Sequence, residues 1–269
     1  HWGSWLEMSD QMELNGSYVH PHWRLTLDGL GLSTMKDWLA LDKTLVDEPN
    51  QRGRGVSQVF RASVIGAEGE PVTVYIKHQR NYVRRSVLHP VSGQTTLYQE
   101  YRALMRCWQA GVPVAEPVFF AANSSGGDNE AMLVSLNLAG FQSLDQVKLD
   151  QLSAASRFTL IRDVAAVVRL LHERGLVHQN LYPKHIFVAW SDKQQRYDVR
   201  FIDMERCRPH YRRWQPRLRD LETLARRASG FSARDRLRFL RAYFDRPLAD
   251  SEGRSLMTRM ERKFKLRGA

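Results

Sequence analysis

Two short segments hold the residues best able to do chemistry. One runs Val177-His178-Gln179-Asn180-Leu181-Tyr182-Pro183-Lys184-His185, the other Phe201-Ile202-Asp203-Met204-Glu205-Arg206. Asp203 follows an apolar stretch, and its carboxylate suits Mg2+, a hard ion that prefers oxygen ligands. Lys77 closes Val74-Tyr75-Ile76-Lys77, where a fixed ammonium can bind the phosphates of a nucleotide. In Gly53-Arg54-Gly55-Val56-Ser57, side-chain-free positions let backbone N–H groups approach phosphate, and Ser57 adds a hydroxyl. The third glycine of a G-x-G-x-x-G pattern is missing, since Gln58 stands there. Each feature alone has a plainer reading: an exposed strand-end lysine, a turn aspartate, a satisfied core histidine, a hairpin loop. Their order and spacing together point to phosphoryl chemistry.

The elements that must position these residues are legible from periodicity. Val56–Ile65 and Val72–Lys77 read as strands around the turn Gly66–Glu70; Val72, Val74 and Ile76 share one face and Thr73, Tyr75 and Lys77 the other. Residues 95–109 read as a helix with Leu97, Tyr101, Leu104 and Trp108 as its apolar stripe, closed by Gly111 and Pro113. Val118–Ala121 and Ala131–Val134 are strands flanking a turn at 123–128. Phe158–Glu173 is a buried helix ended by Gly175, followed by strands at His185–Ala189 and Val199–Ile202 around a tip at 192–195. From Leu218 the pattern is helical to the end. Nearer the start, Tyr18-Val19 and Trp23-Leu25-Leu27 are short-strand candidates, and Met35–Leu45 reads as a helix with Trp38 and Leu41 inward. Strands plus one helix, then helices plus one hairpin, imply an α+β protein of two lobes with a cleft between them. The boundaries fall at 1–134 for the N-terminal lobe, including an extension over about 1–50, and 135–269 for the helical C-terminal lobe.

At 269 residues, 43% hydrophobic and 26% charged, the chain can bury a substantial core. It holds no apolar run of the ~18–20 residues that crosses a membrane. Cys107 and Cys207 have no metal-ligand spacing and read as reduced thiols of a cytoplasmic protein. The net charge of +11 is uneven: residues 1–205 carry 21 Lys/Arg against 22 Asp/Glu, and residues 206–269 carry 19 against 7. Such a C-terminal quarter, with Arg234, Arg238 and Arg241 on one helical face, either attracts polyanions or is simply a solvated basic surface. With no RNA-binding aromatic motif and no zinc finger, nucleic acid is the weaker partner.

In this order the segments resemble the catalytic loop and metal-binding turn of protein-kinase-like phosphotransferases. The resemblance implies that Lys77 grips the α- and β-phosphates and that Glu100, in the following helix, orients it. It makes His178 the structural histidine tying loop to metal turn, puts Asn180 at the catalytic Asp position and His185 on the metal side, and gives Asp203 the Mg2+. More narrowly, the chain is similar to the Kdo/WaaP family of lipopolysaccharide kinases, including its InaA branch. That family's loop resembles H-x-D-x-Y-x-x-H, which accounts for Tyr182 and His185, and its metal turn I-D-L-x-R matches Ile202–Arg206. Residues 49–57, Arg219-Asp220-Leu221 and Asp235–Leu240 also resemble it, so the similarity spans roughly 35–245. It implies that Gly53, Gly55 and Ser57 cover phosphate, that Asp220 braces the catalytic loop, and that adenine lies near Leu136 and Leu138. The implied fold is two-lobed and protein-kinase-like, with an antiparallel N-lobe sheet, one main N-lobe helix and a helical C-lobe.

The implied activity is ATP- and Mg2+-dependent phosphorylation of a lipopolysaccharide inner-core sugar or similar acidic glycan, in the cytoplasm or peripherally at the inner membrane through the basic face. Asn180 departs from the family pattern. Asparagine cannot take a proton as a general base, a role worth ~10²–10⁴-fold. Phosphoryl transfer depends mostly on positioning and charge neutralisation, so a weakened kinase is one expectation. A pseudokinase that binds nucleotide or glycan without transfer is the other.

Overall fold

The structure is a computed structural model that describes residues 17–84, 94–125, 128–210, 214–244 and 258. The helical reading beyond Phe244 and the glycines Gly126 and Gly127 of the turn lie outside these residues. The chain divides into two compact units. One comprises residues up to Arg106 together with Ala115–Leu138; the other comprises Cys107–Val114 and the residues from Ala139 on.

The first unit is built on a seven-stranded antiparallel sheet. Ser17–Val19, Pro117–Ser125, Asp128–Leu136, Pro71–Arg80 and Gly55–Ile65 lie side by side, and both Thr44–Leu45 and Asn50–Arg52 pair with the outer edge of Gly55–Ile65. Alternation along Pro71–Arg80 sets its two faces. Val74 and Ile76 are buried in a cluster with Val118, Phe119, Met132 and Val134, while Lys77 falls on the opposite face. The cluster is closed by Leu27 and Trp38, both wholly buried, so residues ahead of position 50 belong to the core. Truncating Trp38 to Ala would cost about 3–5 kcal/mol.

Two readings near the start are corrected. Trp23-Leu25-Leu27 is not a strand: after a 3-10 turn the chain is helical over Arg24–Leu30, ended by Gly31 at φ +68°. A strand would put Leu25 and Leu27 on one face, but Leu25 is 87% exposed and Leu27 0%. The next helix stops at Ala40, short of Leu45. Thr34 and Asp37 start it with a capping box, and Lys43 Nζ ends it by hydrogen-bonding the carbonyls of Leu39 and Leu41. Thr44 and Leu45 then join the sheet edge.

Helix Thr96–Gln109 lies on the Lys77 face. Leu97, Tyr101 and Leu104 are buried, and Tyr101 stacks on Phe120 with ring centroids 4.3 Å apart. Trp108 does not continue the stripe: it is 46% exposed, and Cys107 takes the buried place.

In the second unit, helix Ala154–Glu173 starts at Ser153, whose hydroxyl accepts from Ser156 N, and buries Leu160, Ile161, Val164, Val168 and Leu171. Gly175 at φ +78° turns the chain out of the helix. Leu176–Val177 pairs with Arg208–Pro209, and the hairpin Ile186–Ser191 with Arg196–Phe201 follows a 3-10 turn at Pro183–His185. Helices Trp214–Arg227 and Ala233–Tyr243 complete the described part. The antiparallel sheet with its main helix and the helical second unit match the expected α+β, kinase-like architecture.

Candidate functional site

In the first unit Lys77 Nζ donates to Glu100 Oε1 at 2.6 Å. The glutamate side chain is 7% exposed and the lysine 32%, so one partner is fixed in the protein while the other keeps contact with solvent. Lys77 is held between Val59 and Leu133 on the neighbouring strands. Glu100 is placed by Gln79, two residues beyond Lys77 on the same strand face. The Gln79 amide nitrogen donates to Thr96 Oγ1 at 2.8 Å, and its oxygen accepts from Leu97 N at 3.2 Å. This buried amide fixes the first turn of the helix against the strand and sets the height at which Glu100 meets Lys77.

Gly53 and Gly55 sit in and beside the tight turn joining Asn50–Arg52 to Gly55–Ile65, where Arg52 pairs with Gly55. Gly53 adopts φ +59°. Gly55 is buried, and a Cβ there would clash with the Asn81 carbonyl. Backbone geometry by itself therefore requires both glycines. Ser57 Oγ accepts from Gln79 Nε2 at 3.2 Å and keeps its own proton to donate. Leu136 ends the last inner strand: its N–H goes to Glu116 O at 3.0 Å, and the Asn137 N–H to Thr73 O at 3.0 Å. Leu138 is the last residue of the unit. An adenine in this segment would have to use main-chain groups other than those two amides.

In the second unit Asp203, Asn180 and His185 converge. Asp203 has left-handed backbone at φ +57°, costly for an aspartate and set between the strand ending at Phe201 and a 3-10 turn. Its Oδ2 accepts from Asn180 Nδ2 at 3.0 Å and lies 3.2 Å from His185 Nε2. The other imidazole nitrogen, His185 Nδ1, donates to the Asn180 carbonyl at 2.8 Å. His178 is wholly buried, donates from Nε2 to the Ile202 carbonyl at 3.0 Å, and stacks on the His185 ring at 6.0 Å. Burial holds its basicity below the ordinary imidazole value, opposed by the charge of Asp220. His178 thus reaches the residue next to Asp203 as a neutral donor.

Asp220, 1% exposed, organises the loop from helix Trp214–Arg227. Its two oxygens accept the backbone N–H groups of His178 at 2.7 Å and Gln179 at 2.8 Å, the latter residue at φ +63°. Its Oδ2 also takes His172 Nε2 at 3.2 Å. His172, wholly buried and held below its usual basicity by that burial, accepts the Tyr243 hydroxyl at Nδ1 over 2.6 Å. The tautomer follows: a carboxylate can only accept, so Nε2 carries the proton.

These donors fit a divalent ion. A ligating histidine usually gives its second ring nitrogen to a carbonyl or carboxylate, as His185 Nδ1 does here. Asp203 Oδ2 and His185 Nε2 stand at the separation of two neighbouring ligands of one ion, and Asp203 supplies the hard oxygen that Mg2+ requires.

The sequence pattern of the lipopolysaccharide kinase (Kdo/WaaP) family matches residues 36–243. The chain belongs to this family. Among its relatives, the Kdo/WaaP chain is 28% identical over 180 residues to the protein InaA of Escherichia coli K12, covering 65% of this chain and 79% of InaA. It is 31% identical over 180 residues to the lipopolysaccharide core heptose(I) kinase WaaP of Pseudomonas aeruginosa, covering 61% of this chain and 66% of that protein. A solved structure, WaaP in complex with acyl carrier protein, superposes with a TM-score of 0.64 at 22% identity, over 93% of this chain and 99% of that one, and shows the shared fold. Among the described residues of this family member no helix is long and apolar enough to cross a membrane.

Sequence reasoning missed Gln79, His172 and Tyr243. Gln79 carried a signal, as a second polar residue two places after Lys77 on a face that meets a helix. His172 and Tyr243 lie on helices far apart in sequence, and nothing in the local pattern pairs them.

Proposed function

We propose that the chain is an ATP-dependent kinase acting on a sugar of the lipopolysaccharide core or a similar acidic glycan. The observation that carries this reading is the Lys77–Glu100 pair at 2.6 Å, which places an oriented ammonium on an inner strand of the sheet. Lys77 serves the α- and β-phosphates and Glu100 keeps it extended toward them. Asp203 and His185 would hold Mg2+, which neutralises charge developing on the transferred group. Asn180 Oδ1 accepts a hydrogen bond from the acceptor hydroxyl and orients it without taking its proton. That the relative from Pseudomonas aeruginosa is a lipopolysaccharide core heptose(I) kinase supports the choice of substrate. The excess of 19 Lys/Arg over 7 Asp/Glu in residues 206–269 suits an anionic acceptor. Purified protein, Mg-ATP labelled at the γ-phosphate and core oligosaccharide test the proposal, with Lys77→Met as control. Label in the glycan that depends on Lys77 supports it, and no transfer beyond that control sinks it.

One observation favours a second reading, nucleotide binding without transfer. The Asn180 amide already donates to Asp203 and leaves no titratable group at position 180. ATP binding by a protein that transfers nothing in the same assay selects this reading.

A further inference from the structure

We propose that His20, His22 and Glu116 form a site for a divalent transition-metal ion of the Zn2+ class, within the first unit and independent of the phosphotransfer reading. One ring nitrogen of each histidine and one carboxylate oxygen all lie within 4.8 Å of one another. His20 Nδ1 stands 3.7 Å from Glu116 Oε1. Two ligands of one tetrahedral ion, at bonds of about 2.0–2.1 Å, lie about 3.3 Å apart, so the His20–Glu116 pair closes with a few tenths of an ångström of movement, and the exposed His22 ring swings in to complete the set.

The surroundings hold the ligands in place. His20 is 1% exposed and anchored at the end of the first strand by its N–H to the Val118 carbonyl at 2.9 Å. Pro21 separates the two histidines and fixes the turn, leaving their rings 4.9 Å apart. The carbonyl of Glu116 is pinned by Leu136 N, and its carboxylate receives the Trp23 indole N–H at 3.2 Å, an outer contact that orients a ligating oxygen. His22 is exposed and gives the ion its way in. In the structure His20 Nδ1 accepts the His22 N–H at 3.3 Å, a long bond that an ion at this nitrogen would replace, with water serving the exposed amide.

The donor chemistry selects the ion. Two imidazoles and one carboxylate are a set that Zn2+, Co2+ or Ni2+ binds far more tightly than Mg2+, which favours sites richer in oxygen. Three protein ligands leave a fourth position for water. A bound ion would join the end of the first strand, the following turn and the start of strand Pro117–Ser125.

Co2+ titration of the full chain, first dialysed against chelator, tests the site, because a four-coordinate Co2+ shows a visible absorption band. The expected result, in excess Mg2+ that occupies the Asp203–His185 position, is one four-coordinate Co2+ per chain, displaced by Zn2+. The band is lost in His22→Ala and weakened at least tenfold in Glu116→Gln, while His185→Ala leaves it intact. Absence of the band, its persistence in His22→Ala, or its loss in His185→Ala would overturn the proposal.

Discussion

Asn180 gives its side-chain amide to the Asp203 carboxylate, Nδ2 to Oδ2, at 3.0 Å. With aspartate at position 180, two carboxylates would face each other at that distance, an arrangement that needs a cation or a proton between them. Asn180→Asp should therefore raise transfer by about 10²–10⁴-fold and make the fold more dependent on metal. In chelator the variant should be less stable than the parent by about 1–3 kcal/mol, with the deficit recovered in Mg2+. Transfer rates and thermal unfolding in both media check this. An unchanged rate in a protein that binds ATP would mean that position 180 does not face the acceptor.

Under the proposed function, the Lys77–Glu100 pair serves the nucleotide more than the fold. Lys77 keeps 32% of its side chain in solvent, and such a pair contributes at most about 1 kcal/mol to stability. Glu100→Gln should leave the unfolding midpoint nearly unchanged and weaken ATP binding about tenfold, a loss of about 1.4 kcal/mol. Calorimetric titration with a non-hydrolysable ATP analogue separates the two effects.

Asp220→Asn should loosen the loop. The carboxylate accepts two backbone N–H groups and the His172 ring, and an amide cannot accept all three. The expected cost is about 3 kcal/mol, read by urea unfolding. Hydrogen exchange at the His178 and Gln179 amides should accelerate by more than the rest of the unit.

Acid should destabilise the second unit. His172 and His178 are held below the ordinary imidazole value by burial and stay neutral in the fold. Once unfolded they take up protons near pH 6.5. The unfolded state thus binds more protons below about pH 6.5, so this stability is complete above that pH and is lost on acidification. The slope approaches about 1.4 kcal/mol per pH unit for each histidine. Unfolding free energies at stepped pH check it, and His172→Gln should flatten the slope.

The two glycines of the Arg52–Gly55 turn should respond unequally. At Gly53 an added Cβ meets nothing within 4 Å, and only the φ of +59° opposes it, so Gly53→Ala costs about 1 kcal/mol. Gly55→Ala drives its Cβ into the Asn81–Tyr82 backbone and should cost several times more. Comparing the two unfolding midpoints tests whether Gly55 is held by packing.

Much of this was legible in the chain. Lys77 announced itself by strand alternation, and Asp203 by ending an apolar strand, because periodicity reports local geometry directly. Trp108 misled for the same reason: it fits the helical repeat, yet the buried place is filled by Cys107. Leu25 misled because alternation over three residues cannot distinguish a strand from a helix begun by a 3-10 turn. The ties from Gln79 to Thr96 and from Tyr243 through His172 to Asp220 were hidden, since each joins positions whose neighbours in sequence do not reveal them.

The loop around position 180 takes its shape from main-chain bonds: His178 and Gln179 N–H to Asp220, and the Asn180 carbonyl to Tyr182 N–H and His185. None of these depends on which side chain position 180 carries. The main-chain path of the loop is in effect a socket that takes either side chain, with a bound cation balancing the charge when the insert is an aspartate. If the proposed kinase reading holds, one substitution at position 180 would change turnover in a lineage while leaving the path of the loop as it is.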